Sequence, residues 1–460
     1  MAEDILKLMM MATYVILLTT TFITHPWLPR HILPTYTIFN LVLGPTPNMD
    51  YGKKKLMADD CLKTLKFVSS DVFQYKISKI LLWLVLAIHG TITLVGTYFL
   101  LGKFNRKQFM NFVPSYLATF YPLLAIWTLL FRGELISNIK NEVEMWTIDS
   151  AGEKVHRQIK NQATFMTIFA VVNFLISIVG GCLYLVPLSE DVDTFVAFYL
   201  FHNYFPNQEK YLSSIYRMTF LMLGYFMIVH GYQIIYYSEH GRYQSTLLKE
   251  HVANLDSCER QTNEEKLFYD DEYQKRIHLR LVFCVKRSVK FVEYIIHITV
   301  SGKTFFCFRL IERKNREITN LIGVFSICGC LLGIGIVLHL LSGNLTEGYC
   351  LRLALLSIGT AAVFSALFWS GQTVEDQVSV TFREENVLSI FQSEEIVAAL
   401  HALNWYNFDK NNKKIYLIML TNAMQTHRVK FTENYSVNYD LGVQIVKSIY
   451  SIISVMVNMI

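Results

Sequence analysis

Uncharged apolar runs of about 20 residues recur along this chain, and they constrain its fold more than any other feature. A run of that length crosses a hydrocarbon core of about 30 Å as a single helix. Inside lipid the backbone has no water to bond, so helix is the form such a run takes. Six runs are clear: Ile80–Leu101, Phe109–Phe131, Ala163–Pro187, Met218–Tyr236, Ile318–Leu341 and Leu353–Trp369. A seventh, Tyr439–Ile460, ends the sequence and carries Asp440 near its start and Lys447 inside. Charged residues are only 17% of the 460, against roughly 25% in soluble domains. The expected fold class is all-α, a polytopic membrane protein with seven transmembrane helices in the lipid bilayer. The net charge of +5 is small and calls for no nucleic acid partner.

Basic residues set the orientation. With the N-terminus inside, the outer loops hold Lys103, Arg106, Lys107, Lys210 and Arg352, with Arg217 at a boundary. The inner segments hold 20 Lys and Arg even without the long stretch between the fourth and fifth spans. That bias predicts a cytoplasmic N-terminus and an extracellular C-terminus. Two glycosylation sequons follow from it: Asn344 lies on the expected outside and is usable, whereas Asn434 lies inside.

The stretch from Tyr237 to Glu317 is charged and has helical spacing. In Arg280–Ile296 the apolar set Leu281, Val282, Val289, Val292 and Ile295 alternates with Lys286, Arg287 and Lys290. Periodicity leaves open a subunit-contact bundle or a solvated linker of amphipathic helices.

Chemistry-bearing motifs are absent. There is no GxSxG, HExxH or Walker loop, and the eight Cys form no CxxC or zinc-spaced set. Neither an enzyme activity, nor a metal, nor a cofactor is expected. His89, His230 and His339 fall within spans, as functional ionisable groups or as neutral helix-contact residues. A transporter would need an inverted repeat and interrupted helices. A G-protein-coupled receptor would need the opposite orientation, and prolines end at Pro206, before its kinked late helices.

The last span divides into two faces at about 100° per residue. Val446, Tyr450, Ile453 and Val457 share one. Gln444, Ser448, Ser451 and Asn458 share the other, with Val455 among them. Such a polar stripe either packs on other helices through hydrogen bonds or lines water.

Several stretches then align with a known family. Phe131-Arg-Gly-Glu-Leu-Ile-Ser-Asn follows the second span, and Trp369-Ser-Gly-Gln-Thr-Val-Glu-Asp-Gln follows the sixth. Ser393-Glu-Glu-Ile-Val-Ala-Ala-Leu-His, Asn404-Trp-Tyr, Lys413-Lys-Ile-Tyr-Leu-Ile-Met-Leu and Lys447-Ser-Ile-Tyr-Ser-Ile-Ile-Ser-Val-Met complete the order. From about Ala58 to Ile460 the chain resembles the insect odorant receptors. The resemblance implies an odorant-gated, non-selective cation channel in the plasma membrane. A tuning subunit there joins the olfactory co-receptor in a heterotetramer and binds a small volatile odorant. Gustatory receptors and G-protein-coupled receptors are the alternatives.

That family divides the chain into an atypical extension (1–57), helices one to four (58–236) and a cytoplasmic anchor (237–317). Helices five and six (318–371), further anchor (372–436) and a pore helix (437–460) follow. The resemblance puts a hydrophobic constriction at Val455 and Met459, with Ser451 and Asn458 facing the ion path. It puts the ligand in the outer half of the bundle. There Ser177, Gly180 and Tyr184 share one face of the third span at i, i+3 and i+7. Facing candidates are Phe112, Tyr116 and Phe120 on the second span and Tyr216 and Phe220 on the fourth, with simple packing the other role for each aromatic.

Two departures stand out. The end Ser451-Ile-Ile-Ser-Val-Met-Val-Asn lacks the Thr-Tyr…Gln pattern of the shared co-receptor, which implies a tuning subunit. Residues 1–56 and about Thr299–Glu317 do not fit the family's spacing; Met57 would make an ordinary start.

Overall fold

The computed structural model describes residues 60–132, 147–255, 267–299, 329–330, 332–337, 347–378, 394–423 and 439–459. The N-terminal extension with Met57, residues 300–317 and both sequon asparagines, Asn344 included, lie outside them. The elements in order are α1 (Lys63–Ser69), α2 (Lys76–Gly102), α3 (Arg106–Arg132) and α4 (Glu153–Leu183). Next come the single turn α5 (Asp191–Thr194), α6 (Val196–Tyr204), α7 (Glu209–Ala253) and α8 (Asp271–Thr299). A helical piece at 332–337, here α9, precedes α10 (Glu347–Val378), α11 (Glu394–His401), α12 (Lys410–Ala423) and α13 (Tyr439–Met459). There is no strand among the described residues.

Five of these helices are long and apolar enough to cross a membrane, and they carry the first four and the sixth of the expected spans. The fifth span is represented by its middle, α9, and the seventh is helical throughout α13. Local chemistry starts and stops the helices. Before α3, Asn105 and Gln108 cap each other, each side-chain oxygen accepting from the other's backbone N–H at 3.2 and 2.9 Å. Asp270 accepts from the N–H of Glu272 and Tyr273 at the head of α8. Gly152, at φ 96°, takes the left-handed turn that hands the one-turn helix Ile148–Ala151 over to α4.

α7 is the axis of the molecule. It runs 45 residues without interruption and packs against α1, α3, α4, α6, α8, α10 and α11. Every residue from Phe226 to Tyr243 is buried. In lipid, apolar packing removes no water, so close backbone approach and hydrogen bonds hold helices together. Both occur at the α4–α7 crossing. A Cβ on Gly181 would sit 2.9 Å from the Leu221 Cα, and one on Gly224 would sit 2.9 Å from the Ser177 carbonyl oxygen. Only glycine allows that approach. About two turns on, Tyr232 donates to the Ala170 carbonyl at 2.9 Å and accepts from Asn173 at 3.2 Å.

The end that carries α1, α8 and α12 differs in kind. α1 docks on α7 through Gln233 to the Ser69 carbonyl at 2.9 Å and through Asp60, which meets Tyr236 at 2.8 Å and His240 at 3.2 Å. Glu239, fully buried, is clasped by the Arg242 Nε at 3.0 Å and by its Nη2. α8 and α12 are stapled by Gln274. Its amide nitrogen donates to the Leu267 and Asn407 carbonyls at 3.0 and 2.8 Å, and its oxygen accepts from the Asp409 N–H and the Asn412 amide. Leu281 and Val282, two of the amphipathic set read from the sequence, are buried on α8.

Candidate functional site

Between α3, α4, α7, α9 and α10 the bundle holds an apolar cavity of about 110 Å³. That is the scale of an engineered apolar cavity of about 150 Å³ that binds benzene. Small residues make the room. Ser177, Gly180 and Gly181 face it from α4, Gly224 from α7, Gly335 from α9 and Gly359 from α10. Ser115, Ala118, Thr119 and Pro122 form the α3 wall at i, i+3, i+4 and i+7. Leu223, Met227, Leu353 and Leu356 add apolar surface.

Serine and threonine hydroxyls are present, but their protons are committed. Thr119 donates to the Ser115 carbonyl at 2.8 Å, Ser177 to that of Asn173 at 3.0 Å and Thr360 to that of Leu356 at 2.7 Å. Ser115 donates to the Phe112 and Thr194 carbonyls at 3.0 and 2.5 Å. Those oxygens keep lone pairs for a ligand and have no spare proton.

Rings close the outer end. Tyr184 stacks on Phe220 with centroids 4.8 Å apart, and Phe195 stands edge-on to both. Over them the α5 turn is fastened by a buried ionic cluster. Asp191 lies 2.7 Å from Arg352 Nη1 and 2.6 Å from Arg217 Nη1, and none of the three is more than 9% exposed. The Arg217 guanidinium also lies over Phe198 at 4.3 Å, and that of Arg352 over Tyr184 at 4.8 Å. A buried charge is costly unless paired and bonded; here the carboxylate has two guanidinium partners and accepts from the Leu188 N–H.

The cavity brings together four of the ligand candidates read from the sequence: Ser177, Gly180, Tyr184 and Phe220. The other four pack elsewhere. Phe112 stacks on Phe104 at 4.9 Å in a separate outer cluster. Tyr116 shares a 2.5 Å hydrogen bond with Thr97, and Phe120 stands edge-on to it. Tyr216 packs against His89 and Phe198. The reason is rotational. At ~100° per residue, the stripe Phe112, Tyr116, Phe120 points roughly 110° away from the stripe Ser115, Ala118, Thr119, Pro122. Reading α3 by its aromatics picks the packed face and misses the face of small residues. Sequence reasoning also passed over Asp191, Arg217, Arg352 and Tyr349. Their signal was present: three charges at the edges of apolar runs, all on the expected outer side.

α13 meets the rest of the chain through a narrow stripe. Leu441 is buried, a Cβ on Gly442 would lie 3.0 Å from the Phe368 ring, and Ile449 fits against Gly333. Val443, Val446 and Tyr450 are 51, 65 and 74% exposed, and Gln444, Ser448 and Ser451 are exposed too. Val455, Asn458 and Met459 lie on its last two turns, and their side chains are outside the described residues.

No protein-family model matches the sequence, and no curated protein matches it. Solved structures do match in fold. The insect olfactory receptor OR5 from Machilis hrabei superposes with a TM-score of 0.53 at 11% identity, over 87% of this chain and 97% of that one. The same receptor in complex with eugenol gives a TM-score of 0.52 at 9% identity over the same shares. At such identity the likeness is one of fold: this chain has the architecture of an insect olfactory receptor.

Proposed function

We propose that this chain is the ligand-tuning subunit of an odorant-gated, non-selective cation channel of the insect odorant receptor family. It assembles with the olfactory co-receptor in a heterotetramer, spans the plasma membrane of an olfactory neuron seven times and has its N-terminus inside. The observation that carries this is the pairing of an apolar cavity in the bundle with a last helix, α13, exposed on both its faces over Val443–Ser451. The fold shared with OR5 supports the family, and the OR5–eugenol complex supports a small-molecule occupant. Mostly apolar lining suits a small volatile held by shape. Lipid faces the exposed apolar residues of α2 and α4, such as Leu94 and Phe165.

The polar stripe of α13 would line one central path, with Ser451 and Asn458 toward ions and Val455 and Met459 closing it by dewetting. The apolar stripe of Val443, Val446 and Tyr450 would meet neighbouring subunits.

Whole-cell recording tests this reading. The chain is expressed from Met1 and from Met57, each with and without an insect co-receptor, under a panel of volatiles. The expected result is a ligand-evoked cation current that needs the co-receptor and whose permeation changes with Val455→Ala and Ser451→Ala. A current indifferent to both substitutions would remove α13 from the pore. A tag at the N-terminus that antibody reaches on intact cells would overturn the orientation.

A further inference from the structure

We propose that the outer end of the cavity is an acceptor-recognising subsite built on Arg352. Its ligands then carry one acceptor oxygen, of a carbonyl or a carboxylate, on an otherwise apolar body. This rests on the reading of the cavity as the ligand site and goes beyond it by naming the ligand's chemistry.

Arg352 is 1% exposed, yet it lines the cavity. Its Nε donates to the Leu183 carbonyl at 3.1 Å, its Nη1 to Asp191 at 2.7 Å, and its Nη2 to the Val186 carbonyl. A guanidinium carries five N–H groups in a fixed fork. Those three bonds leave one on each terminal nitrogen. The Tyr184 ring covers one face of the fork, and Tyr349 lines the same end of the cavity.

Charge points the same way. The two oxygens of Asp191 are divided between two guanidiniums, Oδ1 to Arg352 and Oδ2 to Arg217. One carboxylate thus answers two positive charges at the wall of an apolar space. The aliphatic hydroxyls around the cavity have given their protons to main-chain carbonyls. Arg352 therefore stands out as a charged donor, and a bond to a charged donor discriminates more than a neutral one. A hydrocarbon entering the cavity leaves those N–H groups unanswered. A carbonyl or carboxylate answers them and keeps its chain among Leu353, Met227 and Gly180.

The test uses the purified full chain and reads thermal stabilisation by heptane, heptanal and heptanoate. The expected result is a midpoint concentration about tenfold or more lower for heptanal or heptanoate than for heptane. A lead for heptanoate over heptanal assigns recognition of charge, and equality assigns a plain hydrogen bond. Arg352→Lys should erase the preference. Arg217→Lys, which alters the same ionic cluster from outside the cavity, should leave it intact and so controls for loss of the fold. Equal midpoints for all three ligands, or no stabilisation by any, would overturn the proposal. Gly180→Leu separates the two readings. If it abolishes binding of all three, the cavity is the site whatever the preference. If binding is unchanged, the cavity reading falls, and the subsite with it.

Discussion

α7 and α13 are both continuous helices that mix apolar and polar residues, and they meet opposite surroundings. Around the middle of α7 the chain covers every side, and Glu239 finds Arg242 and His240 finds Asp60 in the same chain. α13 is covered along one stripe, and up to Ser451 its polar and its apolar stripes both stay open. Polar groups are therefore tolerated for different reasons in the two. In α7 the fold answers most of them internally, the Glu239 Oε1 and the Tyr243 hydroxyl being left without a hydrogen-bond partner. In α13 Ser448 donates to the Gln444 carbonyl at 2.8 Å, and the Gln444 and Ser451 side chains stay exposed.

The sharpest way to break that contrast is at Glu239. Arg242→Ala leaves a fully buried carboxylate without its guanidinium, at a cost of about 3–5 kcal/mol. The expected outcome is a collapse in folded yield and in Tm, measured in detergent. An unchanged Tm would mean that water reaches Glu239 and that α7 is less enclosed than described. Next is Gly181→Ala at the α4–α7 crossing, where the new methyl meets backbone at 2.9 Å; overpacking should cost about 1–3 kcal/mol. Gly180→Ala beside it meets only the Leu355 Cβ at 3.8 Å. It should leave Tm nearly unaltered while weakening bulky ligands, a comparison made by dose–response on one panel.

On α13 the prediction reverses. Val446→Ala and Tyr450→Ala should change the stability of a single chain by no more than about 0.5 kcal/mol and yet lower the yield of cross-linked oligomer. Loss of monomer stability instead would place that stripe against its own subunit. The smallest effect is one of reactivity. Cys284 is 2% exposed on α8, and burial pushes its thiol up to about 12. At pH 8 about one in ten thousand such groups is thiolate, the reactive form. Maleimide should pass it over in the native protein and modify a Tyr450→Cys variant, and prompt labelling of Cys284 would show that the α7–α8 contact opens.

Much of this architecture was legible because its signals are local. A missing charge over 20 residues is visible without knowing what surrounds it, and five such runs fall on long helices, the third overrunning the end of its helix at Leu183. Ser177, Gly180 and Tyr184 were legible for a similar reason, since small residues at i, i+3 and i+7 mark one side of one helix. The α3 wall was harder to read. Large aromatics and small residues both recur there with helical spacing, and periodicity does not say which side faces space. The Asp191–Arg352 pair was invisible to any local reading, because its members stand 161 positions apart. The residues that close the cavity are joined by the fold alone.

The length of α7 carries a mechanical consequence. Its 45 residues, at about 1.5 Å each, make a rod of about 68 Å, more than twice the hydrocarbon thickness of about 30 Å. No proline interrupts it. A rod without a hinge cannot absorb a twist partway along. On the proposed reading, displacement of Phe220 by an occupant would reach Glu239 and Val252 as a tilt or rotation of the whole helix. Filling the cavity and rearranging the proposed anchor would then be movements along a single mechanical coordinate.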